Sequence, residues 1–459
     1  MSSILPENQA VENQIDHFFR RYQIGKLLHK TNFAKEKGFS CLFLFRFIFL
    51  LVFTGKNLYR TLQSGALDNR PAKDSVYRFL NSSRYNWRKF LAVLSATIIK
   101  ESLSILTSAE RVKVLIVDDS LFSRSRSKTV ELLARVYDHV EHKYVRGFRL
   151  LTLGWSDGNT FLPLAFSLLS SEKEENRLFG MKPVDKRTNG YKRRSESTKR
   201  ATEVMFELFE QIKGYQIPAQ YLLLDSWFAY PAVILKALEN NLSTICMLKA
   251  MPKVYYSYLG KQMNLAGLYN YIYKKPGRAK ILASVLVELG KDKDGQPVKA
   301  KIVFVRDRNR SRKWLALLST DISLSEQEIV RIYGKRWDIE VFFKMSKSFL
   351  KLGKEFQGRS YDALVAHTTI VFCRYIMLAV EKRNNEDPRT LGNLFYYCCD
   401  ELKDIQFSEA LTLLLEILRE SLRQFIYLTE KRVQEFIDYF ISRLPAFFKE
   451  RLKLSVCES

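Results

Sequence analysis

The chain has 459 residues, with 74 Lys and Arg against 49 Asp and Glu, a formal net charge of +25, and 47% hydrophobic and 13% aromatic residues. That composition excludes wholesale disorder, and the length predicts two or three domains, or one core carrying insertions. The basic excess points to a polyanionic partner, either nucleic acid or an anionic membrane surface.

The N-terminal stretch Met1–Ala10 is polar and has no basic-then-apolar signal layout. Residues 11–105 read as helices broken by polar turns, among them Val11–Lys30 and Asn86–Leu103. The most apolar run, Cys41–Phe53 (CLFLFRFIFLLVF), is too short to span a bilayer and contains Arg46, so it predicts a buried core helix. Lys56–Gln63 and Lys73–Asn81 are short amphipathic segments joined by a turn with Gly65 and Pro71. They fit a helix-turn-helix reader exposing Ser75, Tyr77, Arg78 and Asn81, or plain helical packing. The six cysteines (Cys41, Cys246, Cys373, Cys398, Cys399, Cys457) show no spacing suited to zinc or a disulfide framework. Reduced thiols in a cytosolic protein are the simplest account, and nucleic acid is favoured over membrane.

From Arg111 the hydrophobic period changes. Val112–Val117 is a short β-branched run of the kind found in a strand buried on both faces. Arg149–Ser156 and Thr160–Leu168 flank the turn signal Asp157-Gly158-Asn159. Lys182–Arg200 holds eight basic and two acidic residues and reads as a charged loop, either tracking a phosphate backbone or simply solvated. Helix Thr198–Lys213, strand Tyr221–Leu224, helix Pro231–Asn240 and strand Ser243–Leu248 follow, which predicts a mixed sheet covered by helices. Residues 250–320 are strand-rich again (Ile281–Leu289, Val298–Val305, Lys313–Ser319, with Asp294-Gly295 as a turn) and read as a β-hairpin insertion interrupting the core. The chain is helical from Ser325 onward, where Ser325 and Glu328 fit a capping box.

Three places put a carboxylate where catalysis would want one. The first strand runs into Asp118 and Asp119, followed by Ser120; the strand YLLL ends at Asp225; and Glu340 lies on the helix that starts near Ser325. Acids at the ends of adjacent buried strands suit hard divalent cations, and two such cations stabilise the attacking and leaving oxygens of phosphodiester cleavage. Each acid alone is equally consistent with a helix cap or turn former. In the segment YGKRWDIEVFFKMSK, read as one helix, Tyr333, Arg336, Glu340 and Lys347 fall within an arc of about 60°. A guanidinium fork and an ammonium beside a metal-binding acid would grip phosphates. His139 and His142 have the spacing of a metal pair but no third ligand, and read as structural or DNA-facing.

The pattern Tyr333-x2-Arg336-x3-Glu340-x6-Lys347 resembles the YREK signature of bacterial insertion-sequence transposases of the DDE type, and Trp337 and Ile339 are also similar to that group. The resemblance covers about residues 110–375. It implies an RNase H-like α/β core, a mixed sheet with flanking helices interrupted by a β-rich insertion, with helical N- and C-terminal regions. It implies domains at 1–107 (helical, DNA-binding), 108–249 (core, first part), 250–322 (insertion), 323–375 (core, second part with the YREK helix) and 376–459 (helical). Asp118, Asp225 and Glu340 are then catalytic and bind two divalent ions, Mg2+ or Mn2+. Asp118 is preferred to Asp119 because this family usually has Ser or Thr two positions after the first Asp, here Ser120; Asp119 stays open. Tyr333, Arg336 and Lys347 would contact DNA. Trp314 sits where some members stack a Trp on a flipped base, and a buried strand Trp fits its position as well. The expected partners are the inverted-repeat ends of a mobile element and target DNA, with no membrane. A homodimer in the DNA complex and a cytoplasmic, nucleoid-associated location are also expected. The competing readings are an inactive, transposase-derived DNA-binding protein and another RNase H-like nuclease.

Overall fold

The computed structural model describes residues 13–55, 57–63, 71–138, 141–276, 279–307, 313–356, 358–384, 389–426 and 429–443. Met1–Ala10, Lys56, Gly65, His139, Cys457 and the C-terminal residues 444–459 lie outside them.

The N-terminal region forms α1 (Gln14–Arg21), α2 (Ile24–Lys30), α3 (Cys41–Leu50), α4 (Leu58–Gln63), α5 (Lys73–Leu80), α6 (Trp87–Ile98) and, after a π turn, the single-turn α7 (Ser104–Leu106). Ser40 caps α3 by accepting from the Phe43 N–H, and Asn86 caps α6 through Lys89. The apolar run is the core helix expected: Leu44, Phe45, Ile48 and Phe49 are buried, and Arg46 reaches out to Asp16 at 2.5 Å. On α5, Val76, Phe79 and Leu80 are buried while Arg78 and Asn81 are exposed. Asn81 Oδ1 accepts from Ser360 Oγ at 2.5 Å, so this residue is tied to the body of the fold. Buried side chains of these helices belong to one continuous hydrophobic cluster with the sheet.

The strands are β1 (Val114–Ser123), β2 (Ala134–Asp138), β3 (Lys143–Ser156), β4 (Phe161–Leu169), β5 (Tyr221–Leu224), β6 (Ser243–Leu248), β7 (Tyr255–Tyr258), β8 (Lys261–Asn264), β9 (Ile281–Lys291), β10 (Pro297–Arg306) and β11 (Trp314–Ser319). Between and after them run α8 (Asn189–Ser197), α9 (Ala201–Lys213), α10 (Pro231–Glu239), α11 (Leu265–Tyr271), α12 (Glu326–Gly334), α13 (Trp337–Ser348), α14 (Tyr361–Asn384), α15 (Leu391–Ile426) and α16 (Glu430–Arg443). One sheet joins every strand. β1, β3 and β4 form an antiparallel meander, β1 is parallel to β5, and β5 is parallel to β6. Helices flank this mixed sheet, with α13 and α14 against β4, α9 against β3 and β4, and α10 against β6. The arrangement is an RNase H-like α/β fold.

Beyond the core, β11 pairs with β6 and the sheet continues through β10, β9, β7 and β8, so the strands of 250–320 lengthen the core sheet at its edge. The Asp292–Gln296 turn is built as its sequence predicts: Asp292 Oδ1 accepts from Asp294 N and Gln296 N, and Gly295 takes φ +78. At the β3–β4 turn Asp157 Oδ1 caps Asn159 N and Thr160 N while Gly158 takes φ +88. α14 is long and apolar enough to cross a membrane, yet its most apolar window is wholly buried inside the fold.

Three local expectations need correction. First, β1 does not end before Asp118; it runs to Ser123, because β3 stays paired to it across Asp118↔Thr152 and Ser120↔Leu150. Second, the charged stretch Lys182–Arg200 is not all solvated loop. Residues 189–197 form α8, and Arg193 and Arg194 are 3% and 2% exposed, neutralised by Asp362 and Glu131. Third, the helix carrying Tyr333 to Lys347 is broken into α12 and α13. Around the break the N–H groups of Lys335 and Arg336 bond three residues back, and Lys335 Nζ reaches the carbonyls of Val112 (2.6 Å) and Asp157 (3.0 Å). Gly334, a weak helix former, and this tertiary anchor together account for the tightened turn.

Candidate active site

The parallel register Val117↔Leu224 sets the last core residues of β1 and β5 side by side, so that Asp118 and Asp225 follow at neighbouring strand positions. Asp118 is mostly buried, and its carboxyl is pushed up to about 7. Burial is the largest cause. Arg336 opposes it, Asp119 and Asp225 raise it further by repulsion, and the Asp119 N–H, donating to Asp118 Oδ1 at 2.8 Å, lowers it.

The opposing wall is the α12–α13 segment. The Ser325–Glu328 capping box starts it, and Ile329, Ile332, Ile339, Phe342 and Phe343 bury its inner side. Its polar side meets β1 at two points. Arg336 donates from Nη1 to Asp118 Oδ2 at 2.8 Å and from Nη2 to Glu340 Oε1, bridging two of the three carboxylates. Lys347 Nζ donates to Ser120 Oγ at 2.6 Å. Burial lowers the Lys347 ammonium, partly offset by Asp138 and Asp119. The Tyr333 ring lies 5.9 Å from the Arg336 guanidinium carbon. Its hydroxyl is buried without a hydrogen-bond partner among the described residues, and burial raises its pKa, with Arg336 opposing and Asp225 adding to the rise.

Strand alternation separates the two adjacent acids. Asp118 and Ser120 face α13, whereas Asp119 turns to the other face and forms an ion pair with Arg149, whose guanidinium lies over the Trp227 ring at 5.3 Å. Trp314 is half-buried; its indole stacks on Tyr269 (4.7 Å, 26°) and meets Phe304 edge-on (5.2 Å, 78°), both within or beside the extended strands. His142 is a turn residue at φ 50, and its expected pair, His139, lies outside the described residues. His367 is buried against Glu355 at 3.2 Å. Cys41, Cys246, Cys373, Cys398 and Cys399 are free and buried.

Among the described residues no group of three acids, histidines or cysteines stands close enough to hold a metal ion as the side chains lie. The donor chemistry nevertheless suits a hard divalent cation. Asp118 and Asp225 repel one another, Asp118 is raised by that repulsion and by burial, and a cationic guanidinium already sits between Asp118 and Glu340. Asp118, Asp225 and Glu340 are the groups that would hold such an ion.

Sequence reading missed the Asp119–Arg149–Trp227 contact. The available signal was Trp227 two residues after Asp225 and Arg149 at the start of a predicted strand; their meeting depends on the β1–β3 pairing. Comparison with known families agrees with the geometry. Residues 49–261 match the family described as DDE superfamily endonuclease, and residues 188–377 match the one described as Transposase DDE domain. Between them these matches span Asp118, Asp225 and Glu340, and they support a DDE transposase with a nuclease-type activity. No curated protein matches the chain.

Proposed function

We propose that the chain is a DNA transposase that binds the inverted-repeat ends of its own mobile element, cleaves a phosphodiester there and joins the freed 3′-OH to target DNA. The observation that carries this reading is the bridge from Asp118 through Arg336 to Glu340, with Asp225 near enough to perturb Asp118. Asp118, Asp225 and Glu340 would hold Mg2+ or Mn2+, two ions per site, which supply Lewis-acid charge at the attacking and leaving oxygens.

The chain's own groups have separable tasks. Arg336, once released from the carboxylates, offers a bidentate fork to a phosphate. Lys347, now on Ser120, supplies a point charge, and the unpartnered Tyr333 hydroxyl donates to a phosphate oxygen. Trp314 would stack on a displaced base through the ring surface that Tyr269 leaves. No side chain forms a covalent bond to DNA in this scheme. The protein would act as a homodimer at paired ends, in the cytoplasm at the nucleoid.

A duplex carrying the element end, incubated with the protein and Mg2+, tests the reading. Nicked and joined products are expected, lost in EDTA and in Glu340→Gln; full activity of Glu340→Gln would sink the site assignment. One observation favours a second reading, an inactive transposase-derived DNA-binding protein: the guanidinium between Asp118 and Glu340 leaves no ready cage of three acids. Such a protein would bind the same duplex and never cut it, and an RNase H-like nuclease of another kind would cut without joining.

A further inference from the structure

On the face of β1 opposite Asp118 lies a cleft of about 660 Å3. The β2–β3 hairpin, the start of α9 and the loop after β5 form its walls, contributing Arg135, Tyr144, Arg149, Arg200, Trp227 and Tyr230. Three of these rings are exposed: Tyr144 at 72%, Trp227 at 42% and Tyr230 at 39%. Exposed aromatics beside arginines are the lining that binds unpaired bases and their phosphates.

Two features of the cleft call for an anion. Arg135 stands directly opposite Arg146 in the β2–β3 register, a like-charge pair that destabilises a ladder unless a negative group offsets it. Arg149 spends its Nε on Asp119, but its Nη2 is buried without a partner among the described residues. The cleft also adjoins the candidate active site through the backbone. Asp119 follows Asp118 in β1, and Trp227 lies two residues beyond Asp225. A strand leaving the carboxylates past the ends of β1 and β5 therefore meets the cleft on the reverse face. Its volume admits one or two nucleotides and no duplex.

We propose that this cleft binds single-stranded DNA, one or two unpaired nucleotides of the strand adjoining the scissile phosphate, with bases on Trp227 and Tyr144 and phosphate on Arg149 and Arg135. The proposal rests on the transposase reading for the source of the strand.

Binding of a fluorescein-labelled single-stranded oligonucleotide and of a duplex of the same sequence, measured by anisotropy in EDTA, tests it on the full chain. In Trp227→Ala/Tyr144→Ala the single-strand affinity should fall by about 10-fold or more, from the loss of base stacking, with duplex affinity held within about 2-fold. Trp227→Phe, which keeps a ring face, should stay within about 3-fold of wild type. Both side chains are exposed, so a thermal melt of the double variant should match wild type. Unchanged single-strand affinity, or an equal loss on both DNAs, overturns the proposal. If wild type cuts end-containing duplex while the variants bind single strands normally, only this inference fails. If wild type binds neither DNA, the transposase reading falls with it.

Discussion

Arg336 and Glu340 lie one helical turn apart, and the Arg336 guanidinium that contacts Glu340 also holds Asp118 at 2.8 Å across the gap to β1. A permanent cation thus stands between two carboxylates that would otherwise be free to take a divalent ion. Competition follows from that placement. Arg336→Ala should tighten Mg2+ binding in the absence of DNA, lowering Kd by roughly fivefold or more, since a charge-assisted contact is worth about 1–3 kcal/mol. The same variant should lose DNA cleavage, because the phosphate fork is gone. Isothermal titration with Mg2+ and the cleavage assay separate the two effects, and an unchanged Kd would show that the guanidinium does not compete.

Asp118 sets a dependence of stability on pH with an unusual sign. Its carboxyl is raised from 3.8 to about 7, so between those values the folded protein carries a proton that the unfolded chain has released. Stability from this group is therefore fully present below about pH 4 and is lost as pH rises towards 7 and above. Asp118→Asn removes the dependence. In EDTA the variant should be more stable than wild type at pH 8, by on the order of 1 kcal/mol or more, with the gap closing by pH 5. Thermal melts at the two pH values measure this; a gap that widens on acidification would contradict the assignment of burial as the dominant cause.

Asp362 is a different kind of acid. Although burial alone would raise its carboxyl, hydrogen bonds and charge from Arg194 and Arg193 hold it below the usual carboxylate range. It anchors α14 to α8, with Arg194 also held by Glu131. Asp362→Ala should cost about 3–5 kcal/mol by stranding two buried guanidinium groups. Substituting the exposed Lys182, Lys186 and Lys199 with Gln should leave the urea midpoint unchanged and only flatten the salt dependence of DNA binding.

Trp314 offers a test that divides packing from recognition. Its stack on Tyr269 and edge contact with Phe304 imply that Trp314→Ala costs about 2–4 kcal/mol of stability whatever its role. Trp314→Phe keeps most of that packing. If Trp314 also holds a base, cleavage of an end-containing duplex by Trp314→Phe should drop severalfold while its melt stays within a few degrees; wild-type cleavage would assign the ring to packing alone.

Local chemistry was readable from the chain where the outcome depends on residues close in sequence. The capping box at Ser325 and Glu328, the Asp292–Gln296 turn, the core helix at Cys41–Leu50 and the buried start of β1 all follow from spacing and side-chain type, since their hydrogen bonds close within a few residues. The order of Asp118, Asp225 and Glu340, with Arg336 and Lys347 at helical spacing, was equally visible. The length of β1 was not, because its continuation past Asp118 is set by a partner strand. Nor was the fate of Arg193 and Arg194: eight basic residues in a short stretch read as solvated until Asp362 and Glu131, distant in sequence, take two of them into the interior.

By itself, the sequence determined which groups are available: three acids, the cations to accompany them, and a net charge of +25 suited to a polyanion. Tertiary structure alone decided how those charges are spent. Strand alternation sends Asp118 towards Arg336 and Asp119 towards Arg149, giving one strand an acidic site on one face and a basic, aromatic cleft on the other. Adjacent residues on a strand point to opposite sides, so their chemistry depends on whatever the fold packs against each face.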